Sequence, residues 1–401
     1  MIGVMVKELV LGLGGTVDYE IRWDSDVLER LVREYGITRG ELHTMAPIVD
    51  ERSLVVVILA FLAGGSGGER FVESSAIVEQ FAAHFDTRIT LGGTGVRAGI
   101  ALDSLGIGST QHLVSIDDNV RRLLPTSVRY ISSATHDTLD PHLIVQYPAG
   151  ATLLVEGQAL VAPHANRLIF ANDPPNREML LSAELADTLS RAGAFLISGF
   201  NTMQDVTLLR ARLDALVTAL ESLPADALVY YEDAGFYVPG FRGIVRERLL
   251  PSIDVYGMNE DELQEYVGRE VDLLDPEDVV AALRELHDLI PAPALLVHTK
   301  YWAICVGPRA SGLRDAAESA VRMAATRYRI GDGHTAADFA ETAGIPRHVG
   351  GAAVVEAAER GIPGSFGVAA HVLDVATPTT IGLGDTFVGG FFAALASDID
   401  A

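Results

Sequence analysis

The chain has 401 residues, of which 49% are hydrophobic and 21% are charged. This is the composition of an ordered protein and excludes a disordered one. Its 54 acidic and 30 basic residues give a formal net charge of −24 at pH 7, which argues against nucleic acid and anionic membranes as partners. A phosphorylated small molecule remains compatible with this charge, because a few local donors suffice to bind it.

The cellular environment is predicted from the cysteine content and the apolar segments. Cys305 is the only cysteine and lies in the apolar stretch WAICVG, where we interpret it as a buried small residue. The N-terminal apolar stretch is interrupted by Lys7 and Glu8, unlike a secretory signal. The apolar run from Leu54 is shorter than the ~20 residues of a membrane helix and is predicted to be a buried strand. We therefore expect a cytoplasmic protein.

The first part of the chain has an irregular pattern. The stretches LVLGLGGTVD and SLVVVILAFL are predicted core strands, and the charged segment 19–36 is predicted to be an amphipathic helix. Between residues 120 and 165, alternating stretches separated by Ala-Gly and Gly-Gln predict hairpins of an antiparallel sheet. We expect segments 19–47 and 119–165 to form one smaller lid domain.

From about residue 168 onward, apolar runs of strand length alternate with segments of helical period. The runs are RLIFA, AFLISGF, ALVYYE, IDVYG and ALLVHT. This alternation predicts a parallel sheet covered by helices on both faces. We therefore predict an α/β fold, in which a doubly wound, mainly parallel sheet carries the lid. The predicted core comprises residues 1–18, 48–118 and 166–401.

A glycine-rich motif with an acid lies near the C-terminus, in TIGLGDTFVGGFFAAL. Here Gly382, Leu383, Gly384 and Asp385 precede a predicted helix. Glycines let backbone amides surround an anion, and the helix N-terminus adds to the attraction. A carboxylate in this turn suits a general base in phosphoryl transfer, while the amides hold the phosphoryl oxygens. The alternative interpretation is that Asp385 only caps the helix.

A second acidic motif, SIDVYGMNEDELQEY, follows a predicted strand. Asn259 and Glu262 are three residues apart, so both can face the cleft at the carboxyl end of the sheet. Oxygen ligands of this kind suit a hydrated Mg²⁺. A capped, acidic first turn of a helix would explain the same residues.

Two further glycine-rich loops are candidate sugar-binding loops. One is GGTGVRAG, which begins at Gly92 and Gly93, and the other is GSGGER, which carries Glu69. Such loops let a polyol approach the backbone while acids accept its hydroxyl groups. The alternative for each loop is a tight turn without a ligand.

The order of these motifs resembles the ADP-dependent glucokinase and phosphofructokinase family of the ribokinase-like superfamily. TIGLGDT resembles the GXGD signature of that family, GMNEDEL resembles its NXXE motif, and YYEDAGF resembles its HXE segment, with Tyr230 in the histidine position. LVHTKYWAI, LISGF and ANRLIF are looser matches. The resemblance spans nearly the whole chain. It implies a ribokinase-like core with a lid and transfer of the β-phosphoryl group of ADP to a sugar hydroxyl.

The resemblance also implies roles for individual residues. Asp385 would be the general base, and the turn from Gly382 to Gly384 the anion hole. The remaining implied ligands are Glu232, Glu262 and Asn259 for Mg²⁺, in part through waters; Asp18, Gly92, Gly93 and Glu69 for the sugar; and Arg167 for phosphate. A solvent-facing arginine is the alternative for Arg167. His298 and His371 are interpreted as hydrogen-bonded core histidines.

The leading hypothesis is a Mg²⁺-dependent sugar kinase of carbohydrate metabolism and glycolysis that uses ADP. The alternatives are an ATP-dependent carbohydrate or nucleoside kinase of the same superfamily and a catalytically silent sensor of sugar or nucleotide. The acceptor is predicted to be a hexose or a hexose phosphate. A sugar phosphate calls for several basic residues, and Arg70, Arg97 and Arg167 are the candidates, so an unphosphorylated hexose is favoured. The expected partners are therefore a sugar and a nucleotide, with the chain a monomer or a homodimer.

Overall fold

A computed structural model describes residues 8–375, 379 and 381–399. Residues 1–7, which belong to the predicted core, and Thr380 of the C-terminal motif lie outside the described part. Within the described part, no helix combines the length and the apolar character needed to cross a bilayer.

The strands, in chain order, are β1 Glu8–Leu11, β2 Thr16–Ile21, β3 Gly68–Phe71, β4 Thr87–Gly92, β5 Ser109–Leu113, β6 Val128–Ser132, β7 His142–Tyr147, β8 Thr152–Val155, β9 Gln158–Val161, β10 Asn166–Ala171, β11 Ala192–Ile197, β12 Leu228–Glu232, β13 Val255–Asn259, β14 Ala294–His298, β15 Trp302–Val306 and β16 Phe366–Ala369.

The α-helices are α1 Ser25–Tyr35, α2 Glu51–Gly64, α3 Ser75–Ala82, α4 Thr94–Asp103, α5 Asp118–Leu123, α6 Pro174–Glu178, α7 Leu185–Leu189, α8 Val206–Leu220, α9 Gly240–Leu249, α10 Glu260–Val267, α11 Pro276–Leu289, α12 Arg314–Ile330, α13 Ala336–Thr342, α14 Val349–Gly361 and α15 Leu383–Ile399.

The larger sheet is doubly wound, as predicted. Among the described residues it has nine strands in the order β16-β15-β14-β13-β12-β11-β1-β5-β6. The strands from β14 to β6 pair in parallel, whereas β15 runs antiparallel to both of its neighbours. Successive side chains of a strand point to opposite faces. Val10 accordingly lies in a core shared with α8 and α11, while Leu9 and Leu11 lie in a core shared with α4, α12 and α15.

The smaller sheet mixes strand directions and draws only in part on the segments predicted for the lid. Its order is β3-β10-β7-β2-β4, in which β2 pairs antiparallel with β4 and parallel with β7. Ranges 48–118 and 166–401, predicted for the core, contribute β3, β4 and β10 to the smaller sheet, whereas 119–165, predicted for the lid, contributes β6 to the larger one. Local periodicity does not identify a long-range pairing partner. We therefore propose a lid that includes 16–92 and 142–171.

The apolar run from Leu54 is a helix, and the strand prediction was wrong. Helix α2 begins after Asp50, whose Oδ1 accepts the backbone N–H of Ser53 at 2.7 Å, and is capped at its C-terminal end by Gly65, where φ is 62°. Every residue from Leu54 to Leu62 is buried in the apolar core beneath the smaller sheet. A helix that is buried on all sides has no polar face, so its sequence does not alternate between apolar and polar residues with the helical period. The capping residues Asp50 and Gly65 were the features of the sequence that could have indicated a helix.

Two segments predicted to be helical form shorter helices in the structure. The segment 19–36 begins as β2, and α1 starts only at Ser25, after Asp24 accepts the N–H of Asp26 at 2.9 Å. The stretch NREMLLSAELADTLSRAG, 176–193, has helical period in the sequence, but it is divided between α6, α7 and the start of β11.

Helix α15 is packed closely between α12 and α4, and this packing positions the C-terminal motif. A Cβ atom at Gly389 would lie 2.8 Å from the carbonyl oxygen of Ala98 in α4, and one at Gly390 would lie 2.5 Å from the Cβ of Met323 in α12. Both distances are too short for a side chain, so the glycine pair allows this close approach.

Candidate active site

A cleft of about 1090 Å³ lies between the two sheets. Its floor is formed where the parallel strands end, by Glu232 of β12, Asn259 of β13 and His298 of β14. The smaller sheet contributes Asp18 and Glu69. Ligands of doubly wound sheets bind at the carboxyl ends of the strands, so this cleft is the candidate active site.

The cleft brings together nearly all of the residues singled out in the sequence. The predicted residues that line it are Asp18, Glu69, Gly93, Arg167, Glu232, Asn259, Glu262, Gly382, Leu383, Gly384 and Asp385. Gly92 is absent from this lining within the described part of the chain. A Cβ atom at Gly92 would lie 2.4 Å from the Oδ2 of Asp18, so this glycine makes room for the Asp18 carboxylate.

The C-terminal turn presents both its backbone and Asp385 to the cleft. Gly382 has a φ of 65°, a left-handed conformation that favours glycine. Its carbonyl oxygen accepts bonds from the backbone N–H and the Oγ1 of Thr386, at 3.0 and 2.8 Å. Asp385 is the third residue of α15, so it does not occupy the N-cap position. The capping alternative for Asp385 is therefore wrong.

Glu232 is buried, and both of its carboxylate oxygens have a partner. Tyr230 donates its hydroxyl to Oε2 at 3.0 Å, and the Nε2 of His298 lies 2.8 Å from Oε1. Burial disfavours the imidazolium form, but the Glu232 carboxylate raises the pKa of His298 overall. Tyr230 therefore supplies a hydrogen bond from the position where the family motif has histidine. His298 is a hydrogen-bonded buried histidine, as interpreted, but its position in the cleft was missed.

Glu262 combines a helix-capping bond with an unusual acidity. Its Oε2 accepts the backbone N–H of Asn259 at 3.0 Å, while the Oδ1 of Asn259 accepts the N–H groups of Asp261 and Glu262. The capped first turn is thus present, and the side-chain oxygen of Asn259 is the acceptor that caps α10. Burial, together with the nearby carboxylates of Asp233 and Glu232, raises the pKa of Glu262 to about 8.

These carboxylates fit a hydrated cation better than a dehydrated one. Within the described residues, no three His, Cys, Asp or Glu side chains are placed to hold a metal ion directly. Glu232 and Glu262 are nevertheless buried acids that line one cleft. Burial, and to a lesser extent the carboxylates of Asp233 and Glu232, raise the pKa of Glu262, and a bound cation would favour its ionised form. Mg²⁺ usually keeps several waters and uses one or two carboxylates, which matches this donor set.

Asp233 fixes the loop that follows β12, a role that the sequence did not reveal. Its oxygens accept the hydroxyl groups of Tyr231, Tyr256 and Tyr266 at 3.1, 3.0 and 2.9 Å and the N–H of Ala234 at 2.9 Å. These bonds use the acceptor capacity of the carboxylate. Asp233 therefore holds the loop backbone in place beside Glu232.

Asp18 is buried against an arginine. Thr16 donates to its Oδ1 at 2.7 Å, and the guanidinium of Arg97 donates to its Oδ2 at 2.9 Å. The Nε of Arg97 also lies 3.9 Å from the Oδ2 of Asp385. Burial opposes the charge on Arg97, but the carboxylates of Asp18 and Asp385 raise its pKa overall.

The mouth of the cleft holds more exposed groups. Glu69 and Arg167 are both exposed on adjacent strands of the smaller sheet, and burial together with the charge of Glu69 raises the pKa of Tyr237. Deeper in the cleft, the Nε2 of His142 lies 3.0 Å from Asp173. Burial lowers the pKa of His142, but the bond to Asp173 raises it overall.

Comparisons with known proteins show the family of the chain. A family model, described as the ADP-specific phosphofructokinase/glucokinase conserved region, matches residues 7–339. An ADP-dependent glucokinase from Bos taurus is 25% identical over 243 residues, which are 58% of this chain and 48% of that protein. The match thus spans about half the length of the curated relative.

Solved structures show the same fold. A phosphofructokinase from Pyrococcus horikoshii OT3, solved with AMP, has a TM-score of 0.80 at 16% identity, with 98% of each chain covered. An ADP-dependent kinase in complex with fructose-6-phosphate and ADPβS has a TM-score of 0.69 at 14% identity, covering 99% of this chain and 95% of the other. At such identities the likeness concerns the fold alone. The family match ends before Gly382, so the role of the C-terminal turn depends on its geometry.

Proposed function

The chain belongs to the ADP-specific phosphofructokinase/glucokinase family, and from this membership we propose that it is a carbohydrate kinase that transfers the β-phosphoryl group of ADP to a sugar hydroxyl. One observation supports the proposal most strongly. Asp385 and the glycine turn before it line the same cleft as Glu232 and Glu262, although more than 100 residues separate them in sequence.

The base in this proposal is Asp385. Its carboxylate takes the proton of the attacking sugar hydroxyl as the sugar oxygen bonds to the β-phosphorus. The bond from that phosphorus to the oxygen bridging the two phosphates breaks, and AMP leaves with the bonding electrons. The amides between Gly382 and Gly384, at the positive end of α15, hold the charge on the transferred phosphoryl oxygens.

Mg²⁺ is the proposed cofactor. Glu232 and Glu262, rather than Asn259, would hold it through its waters, because the side-chain oxygen of Asn259 already caps α10. When bound, the ion neutralises charge on the phosphates of the nucleotide. The bonds from Tyr230 and His298 keep the Glu232 carboxylate oriented toward the cleft.

The proposed acceptor is an unphosphorylated hexose. Among the described residues that line the cleft, eight are carboxylates and two are arginines, Arg97 and Arg167. Arg97 is already paired with Asp18, which leaves Arg167 for the phosphates of the nucleotide. A phosphate group on the acceptor, in addition to those of the nucleotide, would therefore face mostly carboxylates. Sugar hydroxyls, in contrast, can donate hydrogen bonds to these carboxylates.

A coupled assay that crosses ADP and ATP with glucose, fructose 6-phosphate and ribose tests this function. We expect turnover with ADP and Mg²⁺, highest with glucose, and little turnover with ATP. A preference for ATP would instead support an ATP-dependent kinase of the same superfamily. Thermal shifts with sugar and nucleotide but no product would support a silent sensor.

A further inference from the structure

Arg97 lies between the two carboxylates that the proposed reaction brings together. The residue is buried, with 7% of its surface exposed. One guanidinium nitrogen contacts Asp18 at 2.9 Å, and the Nε lies 3.9 Å from Asp385. Asp18 belongs to β2 of the smaller sheet and Asp385 to α15 beside the larger one, so this one cation joins the two halves of the cleft.

The glycine turn is shaped around the same arginine. A Cβ atom at Gly382 would lie 2.6 Å from the Cδ of Arg97 and 3.0 Å from a guanidinium nitrogen of Arg327. The absence of a side chain at Gly382 therefore leaves room for the stem of Arg97, in addition to allowing the positive φ. Arg327 itself donates to the carbonyl oxygen of Ile381, which fixes the backbone just before the turn.

A series of ion pairs connects these contacts into a ring, defined here as the Arg97 ring. Glu20, which lies 3.9 Å from Arg97, pairs with Arg88 at 3.0 Å. Arg88 also pairs with Asp332 at 2.8 Å, and Asp332 pairs with Arg327 at 2.6 Å. Arg327 contacts the backbone just before Gly382, and Gly382 lies against the stem of Arg97, so the series of contacts returns to Arg97 at the glycine turn.

We propose that Arg97 is a positioning residue that couples the acceptor-binding carboxylate of Asp18 to the proposed base Asp385. A sugar bound at Asp18 changes the contacts of a guanidinium that also faces Asp385, so acceptor binding and the placement of the base depend on each other. This inference rests on the proposed function. It goes further by assigning a task to a residue that sequence reasoning considered only as a ligand for an acceptor phosphate.

The test is a kinetic series with ADP, Mg²⁺ and the best acceptor, on Arg97→Gln, Arg97→Lys, Asp18→Asn and the double variant Arg97→Gln/Asp18→Asn. We expect Arg97→Gln to lower kcat by at least about tenfold and to raise the acceptor KM, because small displacements of a catalytic group cost much of its rate. Arg97→Lys should recover part of kcat, since it keeps the charge but lacks the fork that faces two carboxylates at once. Because the two residues act as one unit, the double variant should lose less activity than the product of the single losses.

Controls separate this role from a structural one. Arg248→Gln removes an exposed arginine that pairs with Asp214 at 2.8 Å and should retain wild-type kinetics. If Arg97→Gln does not fold, the double variant, which removes the unpaired buried charge as well, is compared with Asp18→Asn. Wild-type kinetics in Arg97→Gln, additive losses in the double variant, or equal kcat in Arg97→Lys and Arg97→Gln would each overturn the proposal. An inactive wild-type protein would instead count against the proposed function.

Discussion

At the scale of single residues, Glu262 has an acidity that its surroundings alter strongly. Burial and the neighbouring carboxylates raise its pKa from 4.5 to about 8. Between these two pH values the folded chain keeps a proton that the unfolded chain has released. The contribution of this group to the free energy of unfolding therefore falls as the pH rises from about 4.5 to 8.

We predict that Glu262→Gln removes this pH dependence. In metal-free protein, the melting temperature of the variant should exceed that of the wild type increasingly as the pH rises through this window, because glutamine cannot ionise. Thermal melts across the pH range measure the difference. Glu277→Gln is the matched control, since Glu277 is an exposed acid in the first turn of α11. Parallel pH profiles of wild type and Glu262→Gln would contradict the assignment.

The raised pKa of Glu262 also predicts how the binding of Mg²⁺ depends on pH. Addition of Mg²⁺ with ADP should stabilise the wild type more above pH 8 than near pH 6, because the ion must displace the proton on Glu262. Glu262→Gln should show a smaller shift in melting temperature and need more Mg²⁺ for half-maximal activity. An unchanged Mg²⁺ requirement in the variant would remove Glu262 from the metal site.

At the scale of elements, α15 carries the proposed base and depends on its glycine pair. We predict that Gly390→Ala lowers the free energy of unfolding by about 1–3 kcal/mol through overpacking, because the new Cβ would lie 2.5 Å from the Cβ of Met323 and 2.7 Å from the carbonyl oxygen of Ser319. The kcat should fall as well, since a shift of α15 moves Asp385. Denaturant unfolding and the coupled assay measure both effects.

Gly243→Ala is the control for this change. Gly243 lies in α9, and nothing is within 4 Å of the position of its Cβ. Alanine there should leave stability unchanged or raise it by about 0.5–1 kcal/mol. If the two variants behave alike, close packing does not explain the glycine pair.

Elements with a local signature were predictable from the sequence, whereas others were not. Strands β11 to β14 alternate with helices along the chain, so their parallel pairing follows from their order. Helix α2 has no polar face, so its sequence shows no helical period. The sequence of β10 does not indicate which of the two sheets this strand joins. Its partners, β3 and β7, are chosen by long-range packing that no local pattern records.

The same reasoning applies to the cleft. Asp385, Glu232 and Glu262 lie in short motifs that point to their chemistry. The contacts of Arg97 with Asp18 and of His298 with Glu232 join residues more than 60 positions apart. Such pairs are set by the fold, so they became visible only in three dimensions.

At the scale of the whole molecule, the two sheets are linked by exposed and partly buried side chains as well as by the buried Arg97. Arg88 of β4 pairs with Glu20 of β2 at 3.0 Å and with Asp332, which follows α12, at 2.8 Å. Tyr237, in the loop after β12, packs on Phe71 of β3 with ring centroids 4.4 Å apart. These contacts hold the smaller sheet over the cleft.

We predict that Arg88→Gln raises the acceptor KM with little change in melting temperature. Exposed ion pairs contribute only about 0–1 kcal/mol to stability, but this pair sets how the smaller sheet sits over the cleft. High salt should raise the KM of the wild type and affect the variant less. Arg33→Gln is the control, because Arg33 pairs with Glu29 within α1. Equal salt dependence in wild type and Arg88→Gln would contradict the prediction.

The central claim is that Asp385 acts as the base in a cleft shared with the two glutamates. The most direct measurement is the kcat of Asp385→Asn with ADP, Mg²⁺ and the best acceptor, together with the affinity for the acceptor measured by calorimetry. Loss of a positioned base should lower kcat by about 10²–10⁴-fold, while the acceptor still binds within a few-fold of the wild type. A variant that turns over at nearly the wild-type rate would contradict the account.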